Sequence, residues 1–245
     1  MIGIAADVAA VVIGGLLGVL VGRRLSAQFV SNMNLVFGVC AAGMGIYSIC
    51  LMENMPAVIL ALTLGSALGL ACKLGKGIEK AAGRLQNSLL SLRVFEQRAG
   101  PDESEANSLT VTIIILLCAS GTGIYGCLDA GMTGNSTILL SKAVLDLFTA
   151  LIFACNIGAV VSVIAVPQLV VFLFLFALAR LVMPLTTPSM ISDFKACGGF
   201  LLVATGLRMA RIKDFPLADM LPAMLLVMPL SRLWSLVFTS LLALA

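Results

Sequence analysis

The chain has 245 residues, a formal net charge of +3, 60% hydrophobic residues and 11% charged ones, with a mean hydropathy of +1.12. A soluble domain is nearer half apolar and a quarter charged, so this composition excludes a water-facing globule and makes the bilayer the solvent for most of the chain. Histidine is absent, which removes the commonest ligand for zinc, haem or copper and the commonest neutral-pH base, so neither metal nor cofactor is expected.

At about 20 apolar residues per crossing there is room for roughly seven or eight spans. The first apolar run, 4–21, precedes Arg23 and Arg24 instead of following them. That order describes a retained span with its N-terminus outside, not a cleavable signal. Asp7 lies inside this run with no basic residue near it in sequence, either protonated or close to the outer interface. Gly14, Gly15, Gly18 and Gly22 supply small residues at the spacing that lets helix backbones approach, as Gly65 and Gly69 do in the span 55–74. Between that span and the one at 32–52 stands Glu53-Asn-Met-Pro-Ala57, where Asn54 reads as an N-cap and Pro56 as a first-turn residue.

The segment 75–107 is the long polar stretch. Ile78, Ala82, Leu85, Leu89 and Leu92 fall on one helical face and Lys76, Lys80 and Arg84 elsewhere, a pattern suited either to an anionic cytoplasmic surface or to an ordinary charged loop. Gly100-Pro-Asp-Glu-Ser-Glu-Ala-Asn107 reads as a solvated acidic linker.

The next span, 109–128, carries Gly121-Thr-Gly-Ile-Tyr-Gly126. This fits a dinucleotide fingerprint in spelling only, because that site needs a strand and a soluble βαβ unit, and open strands cannot cross lipid. Two readings of the glycines remain. One is close helix packing; the other is an unwound segment, in which Ser120, Gly121, Thr122 and Gly123 would bare backbone and hydroxyl groups to an ion or polar solute. Asp129 and Asn135 bracket Ala130-Gly-Met-Thr-Gly134, short enough to gate or fold back into the membrane.

Lys142 and Asp146 are the most informative charges. They stand four residues apart, on one face of a helix expected at 136–158 and surrounded by Ile138, Leu139, Leu140, Val144, Leu145, Leu147 and Phe148. An ionised group in hydrocarbon costs several kcal/mol unless paired or wetted, so the pair is either a structural clamp between helices or a binding or proton-relay site lined also by Ser141, Thr149 and Asn156. The remaining spans are expected at 160–182, 195–209 and 217–243. Pro167 could break one long helix there instead of opening a new one, and Pro222 and Pro229 favour a kink or break in the last. Arg232 falls late in that span, where an acid from another repeat could pair with it.

Three stretches resemble one another: Phe37-Gly-Val-Cys-Ala-Ala-Gly-Met-Gly-Ile-Tyr47, Leu116-Leu-Cys-Ala-Ser-Gly-Thr-Gly-Ile-Tyr125 and Phe194-Lys-Ala-Cys-Gly-Gly-Phe200. The first is followed by Asn54, the second by Gly134-Asn-Ser-Thr137 and the third by Ala218-Asp-Met-Leu-Pro-Ala223, so Asp219 takes the place of Asn54. Such recurrence in a multi-pass protein is the usual trace of a transporter-like fold. The expected organisation is a three-span repeat over 1–74, a cytoplasmic amphipathic segment and acidic linker over 75–107, a two-span middle unit over 108–158, and a last three-span repeat over 159–245. The expected fold is an all-α transmembrane bundle of about eight spans, with seven as the alternative, built from internal, inverted repeats with broken helices.

On the eight-span count, Arg23, Arg24, Lys73, Lys76, Lys80, Arg84, Arg93, Arg98, Arg208, Arg211 and Lys213 share one side, and Arg180 and Lys195 the other. The positive-inside rule makes the first side cytoplasmic and puts both termini outside. The cysteines Cys40, Cys50, Cys72, Cys118, Cys127, Cys155 and Cys197 form no CxxC pair and read as packing residues. No nucleophile-plus-base constellation appears: Ser141 and Lys142 are adjacent, so they point to different sides of a helix, and the chain is not expected to be an enzyme.

Cys118-Ala-Ser-Gly-Thr-Gly-Ile-Tyr-Gly126, Gly131-Met-Thr-Gly-Asn-Ser-Thr-Ile-Leu-Leu-Ser-Lys142 and Asp146-Leu-Phe-Thr-Ala-Leu-Ile-Phe-Ala154 resemble the YqgA-like bacterial membrane proteins, which carry domain of unknown function 554. Met1-Ile-Gly3, Gly14-Gly-Leu-Leu-Gly18, Asn54-Met-Pro-Ala57 and Leu221-Pro-Ala223 agree with that pattern. The resemblance implies a multi-pass protein of the bacterial inner membrane and no particular substrate; Ser141, Lys142 and Asp146 match it. The functional expectation is a secondary transporter or channel for a small ion or polar metabolite, with a site near the bilayer midplane. In it Lys142 meets an anionic group, Asp146 a coupling cation or proton, and Gly121, Thr122 and Gly123 the solute. The alternative is a non-transporting scaffold or regulator, homo-oligomeric through its small-residue faces. The expected partners are lipid, a small ion or solute and a second copy of the chain, not nucleic acid.

Overall fold

Lipid offers backbone N–H and C=O groups no partner, so a chain this apolar must close its hydrogen bonds within helices. The computed structural model describes residues 1–21, 26–90, 110, 113–114, 117–118 and 120–242, and among these every regular element is helical. The helices are α1 (Ile2–Val21), α2 (Ala27–Ile49), α3 (Met55–Cys72), α4 (Leu74–Leu90), α5 (Gly121–Thr133), α6 (Thr137–Ile157), α7 (Val160–Val182), α8 (Pro188–Met209), α9 (Leu217–Met220) and α10 (Pro222–Leu242), with a short 3₁₀ turn at Met183–Leu185. Seven helical stretches among the described residues are long and apolar enough to cross a membrane: α1, α2, α3, α6, α7, α8, and Leu217–Val237 across α9 and α10. Many of their apolar side chains face outward, Leu20 being 80% and Leu181 77% exposed, which suits hydrocarbon and not water.

The span expected at 109–128 is not one helix. Leu117 and Cys118 are helical, Ser120 is extended (φ −70°, ψ 143°), and α5 starts at Gly121. Ser120 caps the new start, its Oγ accepting from the Gly123 amide at 3.1 Å. Of the two readings of this stretch, an interruption does occur, but it falls on Ser120: Gly121, Thr122 and Gly123 form the first turn of α5 and are not unwound. Between α6 and α7 the chain turns at Gly158 (φ 76°, ψ −154°), a backbone open to glycine. Pro167 consequently lies inside α7, and the break in the last span falls ahead of Pro222. Helix α8 begins at Pro188, not at 195, because the Thr187 side chain accepts from the Met190 amide and Pro188 fits the first turn. Helix α4 forms as its periodicity predicts, with Lys76, Lys80 and Arg84 exposed. Leu92, the acidic linker, Gly22, Arg23, Arg24, Arg93 and Arg98 lie outside the described residues, as do the side chains of Ala82, Leu85 and Leu89.

The chain divides into two compact units that cut across chain order, Met1–Met33 with Lys76–Ala179 and Asn34–Gly75 with Arg180–Ala245. In the first, α1 lies along α6, and the small residues of α1 meet main chain directly: Gly14 and Gly18 rest on the carbonyls of Leu147 and Leu151, and Gly15 on Ser162 of α7. In the second, two of the recurring stretches face one another. A Cβ on Gly45 would come 2.6 Å from the Gly199 carbonyl and one on Gly199 equally close to that of Gly45; Gly38 and Gly206 repeat the arrangement at 2.7 and 2.5 Å. Helices α2 and α8 thus run antiparallel, backbone against backbone. Gly65 and Gly69 of α3 meet Ala223 and Asp219 in the same manner. Gly69→Ala would drive a methyl into the Asp219 carbonyl, where backbone on both sides must move, and about 2–3 kcal/mol of stability should be lost. A melting curve of the purified variant checks this, with Gly43→Ala, which meets nothing within 4 Å, as the neutral control.

Candidate functional site

An amide or carboxylate inside a membrane bundle persists only with partners, so the buried polar atoms identify where function or architecture requires them. In the first unit they converge on Lys142. Its position in α6 brings Nζ against Asp146 Oδ2, one helical turn on, and to 3.4 Å from Asp7 Oδ2 of α1. Gln168 of α7 completes the group, donating from Nε2 to Asp7 Oδ2 at 2.9 Å and to Asp146 Oδ2 at 3.4 Å. The Phe172 ring lies over the ammonium, 5.4 Å from its centroid. Asp7 and Gln168 are fully buried, Lys142 is 2% exposed and Asp146 7%.

The cluster therefore sets two carboxylates and one amide around one ammonium. Two of its atoms, Asp7 Oδ1 and Gln168 Oε1, are buried without a hydrogen-bond partner among the described residues. Asp146 lies about 14 Å along α6 from its first residue, near the middle of a 21-residue helix.

Of the residues expected to serve a site, Lys142 and Asp146 meet as foreseen, and Gly123 adjoins them: a Cβ there would come 2.8 Å from Phe172 and 3.1 Å from Lys142 Cε. The missing side chain at 123 leaves the room that the lysine stem and the aromatic ring occupy. Thr122 is buried nearby in sequence and Gly121 opens α5. Thr149 turns its hydroxyl back to the Leu145 carbonyl at 2.8 Å, and Ser141 is half-buried. The Asn156 side chain lies outside the described ones. Asn135 is exposed and shapes the turn into α6, its Oδ1 accepting from the Thr137 amide and hydroxyl at 2.9 and 2.7 Å. Asp129 is buried and accepts from Thr133 Oγ1 at 3.1 Å.

Asn54 and Asp219 belong to the second unit, where a different acid organises the chain. Asp193 of α8, fully buried, accepts four hydrogen bonds: Oδ1 from the amides of Glu53 and Asn54 at 2.9 and 2.8 Å, and Oδ2 from Asn54 Nδ2 at 2.9 Å and Ser231 Oγ at 2.6 Å. A carboxylate at the N-terminus of α3 is favoured by the helix dipole and ties α3, α8 and α10 together. Asn54 precedes α3 as expected, but its own side chain makes no capping bond, and Asp193 supplies the acceptor instead. Asp219 Oδ1 accepts from the Gly75 amide at 2.8 Å and holds the junction of α3 and α4, where Lys73 takes a left-handed φ of 53°. Arg232 is exposed.

Sequence reasoning missed Gln168, Asp193 and Ser231. Gln168 was legible as a lone amide in the apolar run Val163–Val171, though uncharged. Asp193 became visible only with the Thr187-Pro188 helix start, which moves it from a loop into a span.

Comparison with known proteins agrees with the resemblance. The family described as a protein of unknown function (DUF554) matches residues 2–232. The chain is 46% identical to the uncharacterized protein YqgA of Escherichia coli (strain K12) over 229 residues, 94% of this chain and 95% of that one. It is 23% identical to the uncharacterized membrane protein YdfK of Bacillus subtilis (strain 168) over 225 residues, 88% of this chain and 89% of that one. No solved structure matches. The chain belongs to the DUF554 family and is a multi-pass membrane protein.

Proposed function

We propose that this member of the DUF554 family is a secondary transporter or channel for a small ion or polar solute in the bacterial inner membrane, and not an enzyme. Its charge-bearing centre is the cluster of Asp7, Lys142, Asp146 and Gln168. The observation that carries the reading is the composition of that cluster: two carboxylates share one ammonium among apolar helices, with two acceptor oxygens unmet. A clamp between helices needs only one acid for one base. A surplus acid and open acceptors cost stability and are retained where something is bound. The interruption at Ser120, next to Gly123, supports the reading, because broken helices beside a polar cluster are how such proteins hold solutes.

A second reading, a scaffold that transports nothing, has one observation on its side. The Lys142 ammonium is sealed beneath Phe172 and 2% exposed, as in a static clamp. Asp146→Asn separates the two. Under transport, wild-type protein in proteoliposomes moves one of a set of probes (Na⁺, K⁺, chloride, inorganic phosphate or glutamate), and the variant inserts and folds but loses at least 90% of that flux, roughly 1.4 kcal/mol of barrier or more. Under the scaffold reading no probe moves or shifts the melting temperature of the wild type, and the variant shows only a lowered melting temperature.

A further inference from the structure

We propose that the cluster stores one exchangeable proton and that Asp7, not Asp146, carries it on Oδ1. Charge and hydrogen-bond demand lead to the same place. If both acids were ionised, the cluster would hold an uncompensated negative charge on groups that are 0% and 7% exposed, a state the apolar interior strongly disfavours. Both unmet atoms, Asp7 Oδ1 and Gln168 Oε1, are acceptors, so what the cluster lacks is hydrogen. One proton on Asp7 removes the excess charge and turns an orphaned acceptor into a donor.

The choice between the two acids follows from contacts. Asp146 is the acid pressed against the Lys142 ammonium, whereas Asp7 reaches it at 3.4 Å and leans on the neutral Gln168 amide at 2.9 Å. Among the described residues, the charged and titratable groups facing Asp7 are Lys142 and Asp146 from α6, with the Cys127 thiol of α5 within electrostatic range and Gln168 of α7 neutral. A metal ion would have to sit beside the Lys142 ammonium and be repelled by it; a proton bonded to oxygen is not. The step balances simply: the Asp7 O–H bond breaks, the proton leaves to water on one side, and Lys142 then serves both carboxylates. That this proton couples to solute movement rests on the transporter reading above; its presence on Asp7 does not.

Infrared spectroscopy of the purified, lipid-reconstituted protein tests it. At neutral pH the wild type should show a protonated-carboxyl stretch that moves on H/D exchange and disappears in Asp7→Asn. Asp7→Asn, a neutral mimic of the protonated acid, should melt within error of the wild type, while Asp146→Asn melts clearly lower. Melting should be insensitive to exchanging Na⁺ or K⁺ for choline. Survival of the band in Asp7→Asn would overturn the assignment, as would its absence from the wild type, a loss of stability in Asp7→Asn equal to that in Asp146→Asn, or stabilisation by Na⁺ or K⁺. Proteoliposomes carrying an internal pH dye report the coupled movement separately: a band that behaves as expected with no proton flux leaves the proton on Asp7 and overturns only its coupling to solute movement, while the probe-flux assay above decides the transporter reading itself.

Discussion

Lys142→Met is expected to cost about 3–5 kcal/mol, or to prevent folding, because it removes the ammonium that neutralises the buried Asp146 carboxylate. Methionine keeps the length and most of the apolar contact of the lysine stem, so the loss reports charge and not volume. The Asp146 carboxylate, 7% exposed, would then keep, among the described residues, only the Gln168 amide at 3.4 Å. The check is an unfolding titration in mixed micelles for wild type, Lys142→Met and the double variant Lys142→Met/Asp146→Asn. The double variant carries no obligatory charge in the cluster and should recover most of the lost stability, a coupling of about 2 kcal/mol or more. Equal loss in the single and double variants would mean that the ammonium stabilises through packing against Phe172 and not through the acids.

Asp193→Ala is expected to cost about 3 kcal/mol, by a different mechanism. Among the described residues the Asp193 carboxylate is held by four uncharged donors, the Glu53 and Asn54 amides, Asn54 Nδ2 and Ser231 Oγ. Alanine strands all four, and each buried donor left without a partner costs roughly 1–3 kcal/mol, less where water reaches it. Asp193→Asn retains an acceptor and should lose about half as much. Hydrogen exchange localises the effect: the Glu53 and Asn54 amides should lose protection in Asp193→Ala while the α6 amides of the first unit do not change. Uniform loss across the chain would instead mean that Asp193 sets global stability without pinning the start of α3.

The two acids show how far pattern reading reaches into such a chain. Lys142 and Asp146 announce themselves because charge in an apolar run is costly and four-residue spacing puts them on one face. The interruption near Gly121 was visible in the clustering of glycine with Ser120 and Thr122, yet its alternative, plain packing, was equally compatible with the same letters. In fact both occur: Ser120 breaks the helix, and Gly123 gives way to Phe172 and Lys142. The glycines of α1 and α3 pack as their spacing suggests, but which main chain each one meets was not legible.

What the sequence determined by itself was solvent, class and the approximate spans: composition requires lipid, lipid requires helices, and hydropathy marks their cores. What only the tertiary structure decided was partnership. Asp7 precedes Lys142 by 135 residues and Gln168 by 161, and Asp193 lies 140 residues from Glu53. Helical periodicity relates residues within a turn or two, whereas these contacts depend on which helix lies beside which, and that is settled by side-chain and backbone fit along whole helix faces. The surplus carboxylate and its two open acceptors therefore become visible only when α1, α6 and α7 are brought together.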